Sequence, residues 1–345
     1  MSTADVAIDR TRSGERARRL SEIVFRMREL GIVLALLLLI AVTAILEPRF
    51  IELDSLKDLA RNASIIAIIA AGQTMVILTR NIDLSVGSVL GLAAFFCGDL
   101  LSNHGTPIIL AIVLCILLGA VCGVINGVLT TFGRVPALVV TLGTMYVFRG
   151  IAFVYTDGRQ INAETLPDTF LKLGSGTLLG IPTIFLIALV IVVIVGLYLS
   201  NYRSGRELYA IGSNDAAAKL AGIRVDRRVV GAFVACGALA GLGGALYAAR
   251  FGTVDATAGT GYELTVISAA VVGGVAINGG VGTVYGAAIG AVLLGCITSS
   301  LIVLRIDSFW QQAAVGALLI AAIAFDRLVG LRLDAALRQR SARRA

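Results

Sequence analysis

Charges along this chain are spaced so that long stretches carry none. Leu30–Leu46 is uncharged for 17 residues between Glu29 and Glu47, and Asn62–Thr79 for 18 between Arg61 and Arg80. A third apolar run opens at Leu84 and reaches about Leu101, with Asp99 placed at a water interface. The turn-forming stretch Ser102–Pro107 separates it from a fourth, Pro107–Thr131. Val135–Val154, Leu178–Leu199 and Val229–Ala249 supply the next three. The 41 residues Leu264–Leu304 carry no charge, too many for one crossing at about 1.5 Å per residue. Asn278-Gly279-Gly280 divides them into an eighth and a ninth run, and Ser308–Phe325 is the tenth. A membrane barrel would instead alternate apolar and polar residues in strands of about 10 residues. The pattern predicts an all-α, polytopic membrane protein of about ten transmembrane helices, several of them broken or short.

Composition agrees. The chain has 345 residues, 57% hydrophobic and 15% charged, with a mean hydropathy of +0.91, whereas soluble domains carry about 25% charge. The net charge of +7 does not indicate nucleic acid, because the basic residues cluster beside the spans. Seven lie in residues 1–28, six in 203–228 and six in 327–345. An even number of spans puts all three clusters on one side, which the positive-inside rule makes cytoplasmic. The expected organisation is a basic cytoplasmic segment at 1–28, a transmembrane domain at 29–328 with a cytoplasmic loop at 200–228, and a basic cytoplasmic tail at 329–345. Cys97, Cys115, Cys122, Cys236 and Cys296 all sit in apolar runs, and His104 is the single histidine. Neither a disulfide framework nor a metal site is expected from them.

Three local patterns carry chemistry. In Ala71–Ser88, Gln73 and Thr74 are polar within a span, and Arg80, Asn81 and Asp83 interrupt it before Ser85, Gly87 and Ser88 open the next. Asp83 reads either as the cap of a helix beginning at Leu84 or as part of a broken helix on a translocation path. Ile82–Val89 resembles Ile277–Val284 at an offset of 195 residues, suggesting a parallel repeat. Between spans, Asn214 can cap a short helix, Asp215 and Lys219 form a favourable i,i+4 pair, and Gly222 offers a left-handed stop. That helix would present Ala216, Ala217 and Ala218 as a small knob suited to a groove on another protein. Gly119, Gly123 and Gly127, like Gly237 and Gly241, put small residues on one helix face for close packing.

These stretches together resemble the membrane permease subunit of ribose-type bacterial ABC sugar importers. The resemblance is carried by Ala71–Ser88, Asn126–Gly150, Gly205–Ile223 and Tyr262–Tyr285, and with the span pattern covers about residues 30–328. It implies a multi-pass protein of the bacterial inner membrane that translocates a small sugar-like solute. Its partners would be a second permease subunit, identical or different, a cytoplasmic ATPase pair, an extracytoplasmic solute-binding protein and membrane lipid. No Gly-x-x-x-x-Gly-Lys-Ser/Thr occurs, so ATP and Mg are expected in the partner, with no cofactor and no catalysis in this chain. The coupling segment implied is Gly205, Arg206, Glu207, Asn214, Asp215, Ala216, Ala217, Ala218, Lys219 and Gly222. Gln73, Asp83, Ser85, Asn126, Thr141, Thr144 and Asn278 are pathway or gating candidates, with hydrogen bonding between helices as the plainer reading of the polar residues within spans. Many ribose-type members carry two glycines where this chain has Arg80-Asn81, a pair familiar from rhamnose and autoinducer-2 branches. The alternative class is an ion-coupled secondary transporter. Deep charged relays would favour it, and Arg149 is the one strong candidate, with Asp157 its nearest acidic mate in sequence.

Overall fold

The computed structural model describes residues 33–34 and 36–307, together with residues 310, 312, 313, 316, 317 and 320. The expected basic segments 1–28 and 329–345 lie outside the described residues, as does most of the tenth run. Within them the chain is helical: α1 Leu36–Leu46, α2 Leu53–Leu78, α3 Val86–Ser102, α4 Ile108–Thr131, α5 Ala137–Thr156, α6 Asp168–Ser175, α7 Thr183–Asn201, α8 Arg203–Ser213, α9 Asp215–Leu220, α10 Val225–Phe251, α11 Tyr262–Val272 and α12 Val284–Val303. A two-residue antiparallel hairpin, Thr177–Leu178 with Ile181–Pro182, precedes α7. All five prolines stand at helix starts: Pro48 in a 3-10 turn, and Pro107, Pro136, Pro167 and Pro182 immediately before α4, α5, α6 and α7. There the missing N–H breaks no helical bond.

Among the described residues six helices, α2, α4, α5, α7, α10 and α12, are long and apolar enough to cross a membrane; α1, α3 and α11 are shorter apolar helices. The eighth expected run is the clearest departure. With 11 residues, α11 is about 17 Å long, roughly half a hydrocarbon layer. It stops at Gly273-Gly274, where Gly274 takes φ +99°, and the backbone runs irregularly to Thr283 before α12 begins.

Helix α2 is the axis of the bundle. From Ala63 to Leu78 it is buried on all sides, 89% of its most hydrophobic window is buried, and it packs against α7, α10, α11 and α12, as expected of a stretch with no polar face. Helices α4, α5 and α7 are only about a third buried. Their outward positions are large and apolar, among them Leu117, Val121, Leu142, Val147, Leu189 and Ile194, a surface that lipid, not water, would cover. One end of the bundle carries α8, α9 and the turns between α2 and α3, α4 and α5, and α11 and α12. The other end carries α6, the hairpin and residues 252–261, joined where Ile161 and Val254 exchange backbone hydrogen bonds.

Candidate coupling face and buried polar cluster

The knob at the first end is built from local bonds. Asn214 Oδ1 accepts from the Ala217 amide at 3.0 Å, Lys219 Nζ donates to Asp215 Oδ2 at 2.7 Å, and Gly222 takes φ +78°. The hydrogen bond to Asp215 holds the Lys219 ammonium above its ordinary pKa. Ala216 and Ala217 are exposed. Ala218 is not: it is 4% exposed and packs into the core, so the expectation that three alanines face outward is corrected to two. Leu220, at 91% exposure, takes the third outward place.

Ahead of the knob stands α8, which local sequence did not foretell. Gly205 packs so closely on the end of α7 that a Cβ there would run into the Tyr198 carbonyl. Glu207 points inward, accepting from Arg203 at 2.9 Å and from Arg228 at the start of α10. Burial alone would raise its pKa, but these arginines hold the carboxyl below the usual carboxylate range. Glu207 is therefore an internal staple, while Arg206 is exposed. A cavity of about 450 Å³ opens beside α9, its wall including Arg80, Arg134, Asp215 and Lys219.

Five of the seven pathway candidates converge. Asp83 Oδ1 accepts from the Ser85 amide at 2.9 Å, from Ser85 Oγ at 2.7 Å and from Asn126 Nδ2 at 3.4 Å. Asn126 also donates to Ser85 Oγ at 2.8 Å, and Thr144 Oγ1 donates to Asn126 Oδ1 at 2.6 Å. Thr141 Oγ1 donates to the Ile82 carbonyl at 3.1 Å. The cluster ties the α2–α3 turn to α4 and α5, and every side chain in it is buried. The other two lie elsewhere. Gln73 is fully buried in α2, where Cys236 Sγ donates to its Oε1 at 3.5 Å while its Nε2 has no partner. Asn278 is exposed on the α11–α12 turn.

Asp83 is not a helix cap. The helix starts at Val86, two residues later than Leu84, with Ser85 at the cap position and no side-chain cap bond; Asp83 braces the turn two residues ahead. The matching segment behaves differently, since Thr283 Oγ1 does cap α12 by accepting from the Gly286 amide at 2.9 Å. Because all three bonds to Asp83 end on one oxygen, Asp83→Asn can keep a carbonyl there, whereas Asp83→Ala strands buried donors at about 1–3 kcal/mol each. Thermal unfolding in detergent is expected to show a clear loss of Tm for alanine and a smaller one for asparagine. Equal losses would mean that the negative charge, not the acceptor, holds the turn.

At the other end, sequence reasoning named Asp99 and Arg149 but not their partners. Asp99, expected at a water interface, is buried inside α3, where Tyr155 Oη donates to it at 2.6 Å and Asn103 at 2.8 Å, with His104 and Arg159 at 3.6 and 3.8 Å. Arg149 donates not to Asp157 but to the carbonyls of Ala256 and Ala258, at 3.1 and 2.6 Å. Among the described residues no group of three His, Cys, Asp or Glu side chains could hold a metal ion.

Residues 55–323 match the family model described as the branched-chain amino acid transport system permease component. The chain is 38% identical over 301 residues to the ribose import permease protein RbsC of Haemophilus influenzae, covering 87% of this chain and 93% of that one. It is 36% identical over 312 residues to the autoinducer 2 import system permease protein LsrC of Escherichia coli O157:H7, covering 90% of each. Against the Escherichia coli K12 ribose import permease it is 37% identical over 295 residues, covering 85% of this chain and 92% of that one. No solved structure matches it.

Proposed function

The chain belongs to the branched-chain amino acid transport system permease component family, and we propose that its solute is a small sugar or sugar-like molecule. It is a multi-pass permease subunit of an ATP-binding cassette importer, a transport component in the inner membrane. The observation that carries the sugar reading is the likeness to ribose and autoinducer 2 permeases along 85–90% of the chain.

In this reading α1, α3, α11 continued by the irregular stretch to Thr283, and the 308–325 run complete ten passes, both termini are cytoplasmic, and the permease works as a homo- or heterodimer. The α8–α9 knob faces a cytoplasmic ATPase pair, which holds the ATP and Mg. The hairpin end receives the extracytoplasmic binding protein. Alternating access then requires that movement of the knob reach the buried Asp83 cluster, whose bonds hold α3, α4 and α5 together on the knob side. A buried cluster of hydroxyls and an amide around one carboxylate suits a neutral polyol, since hydroxyls donate and accept as these side chains do. It offers no fixed charge pair for the ammonium and carboxylate of an amino acid.

Reconstitution in vesicles with a partner ATPase pair and solute-binding protein tests the proposal. ATP-dependent uptake of ribose, rhamnose or autoinducer 2, with none of leucine, is expected. A cysteine at residue 216, in a background lacking the native five, should label only from the ATPase side. Uptake of leucine alone would overturn the sugar assignment; uptake by the permease without ATPase would establish the ion-coupled alternative.

A further inference from the structure

We propose that Arg80 is the residue that transmits movement of the α8–α9 knob to the buried Asp83 cluster. This rests on the importer reading above. Arg80 lies just past the end of α2 with φ +65°, the left-handed position of a helix stop in which its amide donates to the Ile77 carbonyl at 2.9 Å and the Asn81 amide to the Val76 carbonyl at 3.3 Å. That stop aims its side chain at α8. Nε donates to the Gly212 carbonyl at 2.5 Å and Nη2 to the Ser213 carbonyl at 2.7 Å. These are the last two residues of α8, where carbonyls lack helical partners and the helix dipole favours a cation. One planar fork therefore grips the end of the helix that leads into the knob.

The surrounding contacts leave little slack. A Cβ at Gly212 would run into the Leu78 carbonyl and the Gly280 amide, and one at Gly279 would lie 2.6 Å from Arg80 Cγ. The Gly280 amide donates to the Leu78 carbonyl at 3.0 Å, and Tyr209 Oη donates to the Gly282 carbonyl at 3.0 Å. The end of α8 thus rests on both irregular turns at once. Of these ties, Arg80 is the one whose own backbone continues within three residues to the cluster. Ile82 accepts from Thr141, and Asp83 accepts from Ser85 and Asn126. Pulling α8 away from the bundle drags the Arg80 backbone, and with it the turn that holds α3 against α4 and α5. Arg80 is in this sense a positioning residue that touches neither the ATPase nor the solute.

Arg80→Gly separates side chain from backbone, since glycine takes φ +65° without strain. In vesicles carrying the full complex, with uptake read on whichever sugar of the panel the wild type carries, the ATPase should remain bound and ATP hydrolysis should remain stimulated by loaded binding protein. Solute moved per ATP should fall about tenfold, within the roughly 5–150-fold span of ordinary site-to-site coupling. Arg80→Lys should fall between, because one ammonium cannot fork two carbonyls. An unchanged ratio in Arg80→Gly would overturn the proposal. So would parallel loss of ATPase binding, hydrolysis and uptake, which a mere cap on α8 would give. A second measurement does not depend on the importer reading. In the purified permease alone, Arg80→Gly should speed amide hydrogen exchange both in 207–213 and in 81–85. Faster exchange confined to 207–213 means that Arg80 holds α8 without reaching the cluster, and overturns the link even if uptake proves independent of any ATPase.

Discussion

A single methyl group at Gly119 is expected to unseat α4 from α10 and leave little folded permease. The two helices cross with their backbones in contact. A Cβ on Gly119 would meet the Gly237 carbonyl, one on Gly237 would meet the Gly119 carbonyl, and one on Gly241 would meet the Cys115 carbonyl. In each case the obstacle is main chain, which cannot rotate away as a side-chain tip can. Overpacking usually costs about 1–3 kcal/mol when side chains can yield; here the helices must separate, so the loss should lie at or above the top of that range. Helix α4 has little else to hold it, since only 28% of its most hydrophobic window is buried. Its buried residues Cys115, Gly119, Cys122, Gly123, Asn126 and Gly127 form one stripe. Separation would also pull Asn126 out of the polar cluster and uncover its partners. Gly119→Ala and Gly237→Ala should therefore lose most of the monodisperse protein on size exclusion and lower Tm in detergent sharply. Gly143→Val is the control, because nothing lies within 4 Å of the added Cβ. If Gly119→Ala unfolds no earlier than Gly143→Val, the close crossing does not carry the stability assigned to it.

The glycine stripes were legible because they are periodic, and small residues on one face have few uses other than close approach. The knob was legible for a related reason: Asn214, the Asp215–Lys219 pair and Gly222 act within nine residues, so their chemistry can be read without knowing the fold. Helix α8 has no such local code. It contains Gly205 and Gly212, poor helix formers, and is held by Arg228, which reaches Glu207 across 21 residues, and by Arg80 across 132. Absence of charge marked the 264–304 stretch as membrane-embedded but could not say that α11 is a half-length helix, because the Gly273-Gly274 stop looks like the glycine pairs inside intact helices. Asp83, Ser85, Asn126, Thr141 and Thr144 each stood out as polar residues at or near span ends. Their convergence depends on how α3, α4 and α5 cross, which no spacing in the sequence encodes. The same limit explains Ala218: three consecutive alanines look alike until the direction of the bundle is known.

That difference between Ala217 and Ala218 supplies the sharpest test of the coupling face. Ala217→Trp is expected to leave the permease folded and to abolish ATPase coupling, whereas Ala218→Trp should damage the fold itself. Ala217 is exposed, and its amide, which donates to Asn214 Oδ1, is unaffected by a change of side chain. A tryptophan there extends into the surroundings, not into the bundle. Ala218 is buried, so an indole at that position must displace core residues. In a partner groove fitted to Ala216, Ala217 and the exposed Leu220, the same indole at 217 meets a wall and costs on the order of 1–3 kcal/mol, about 5–150-fold in association. Gly222→Val reaches the same end by another route. Nothing lies within 4 Å of its added Cβ, but φ +78° disfavours a β-branched residue, so the knob is misaimed, not enlarged. The readouts are co-purification of the ATPase, ATP hydrolysis with and without loaded binding protein, and Tm of the permease alone. Ala217→Trp should lose the first two and keep the third; Ala218→Trp should lose the third. Full ATPase binding and uptake in Ala217→Trp would remove α9 from the interface and leave α8, gripped by Arg80, as the segment through which the ATPase acts.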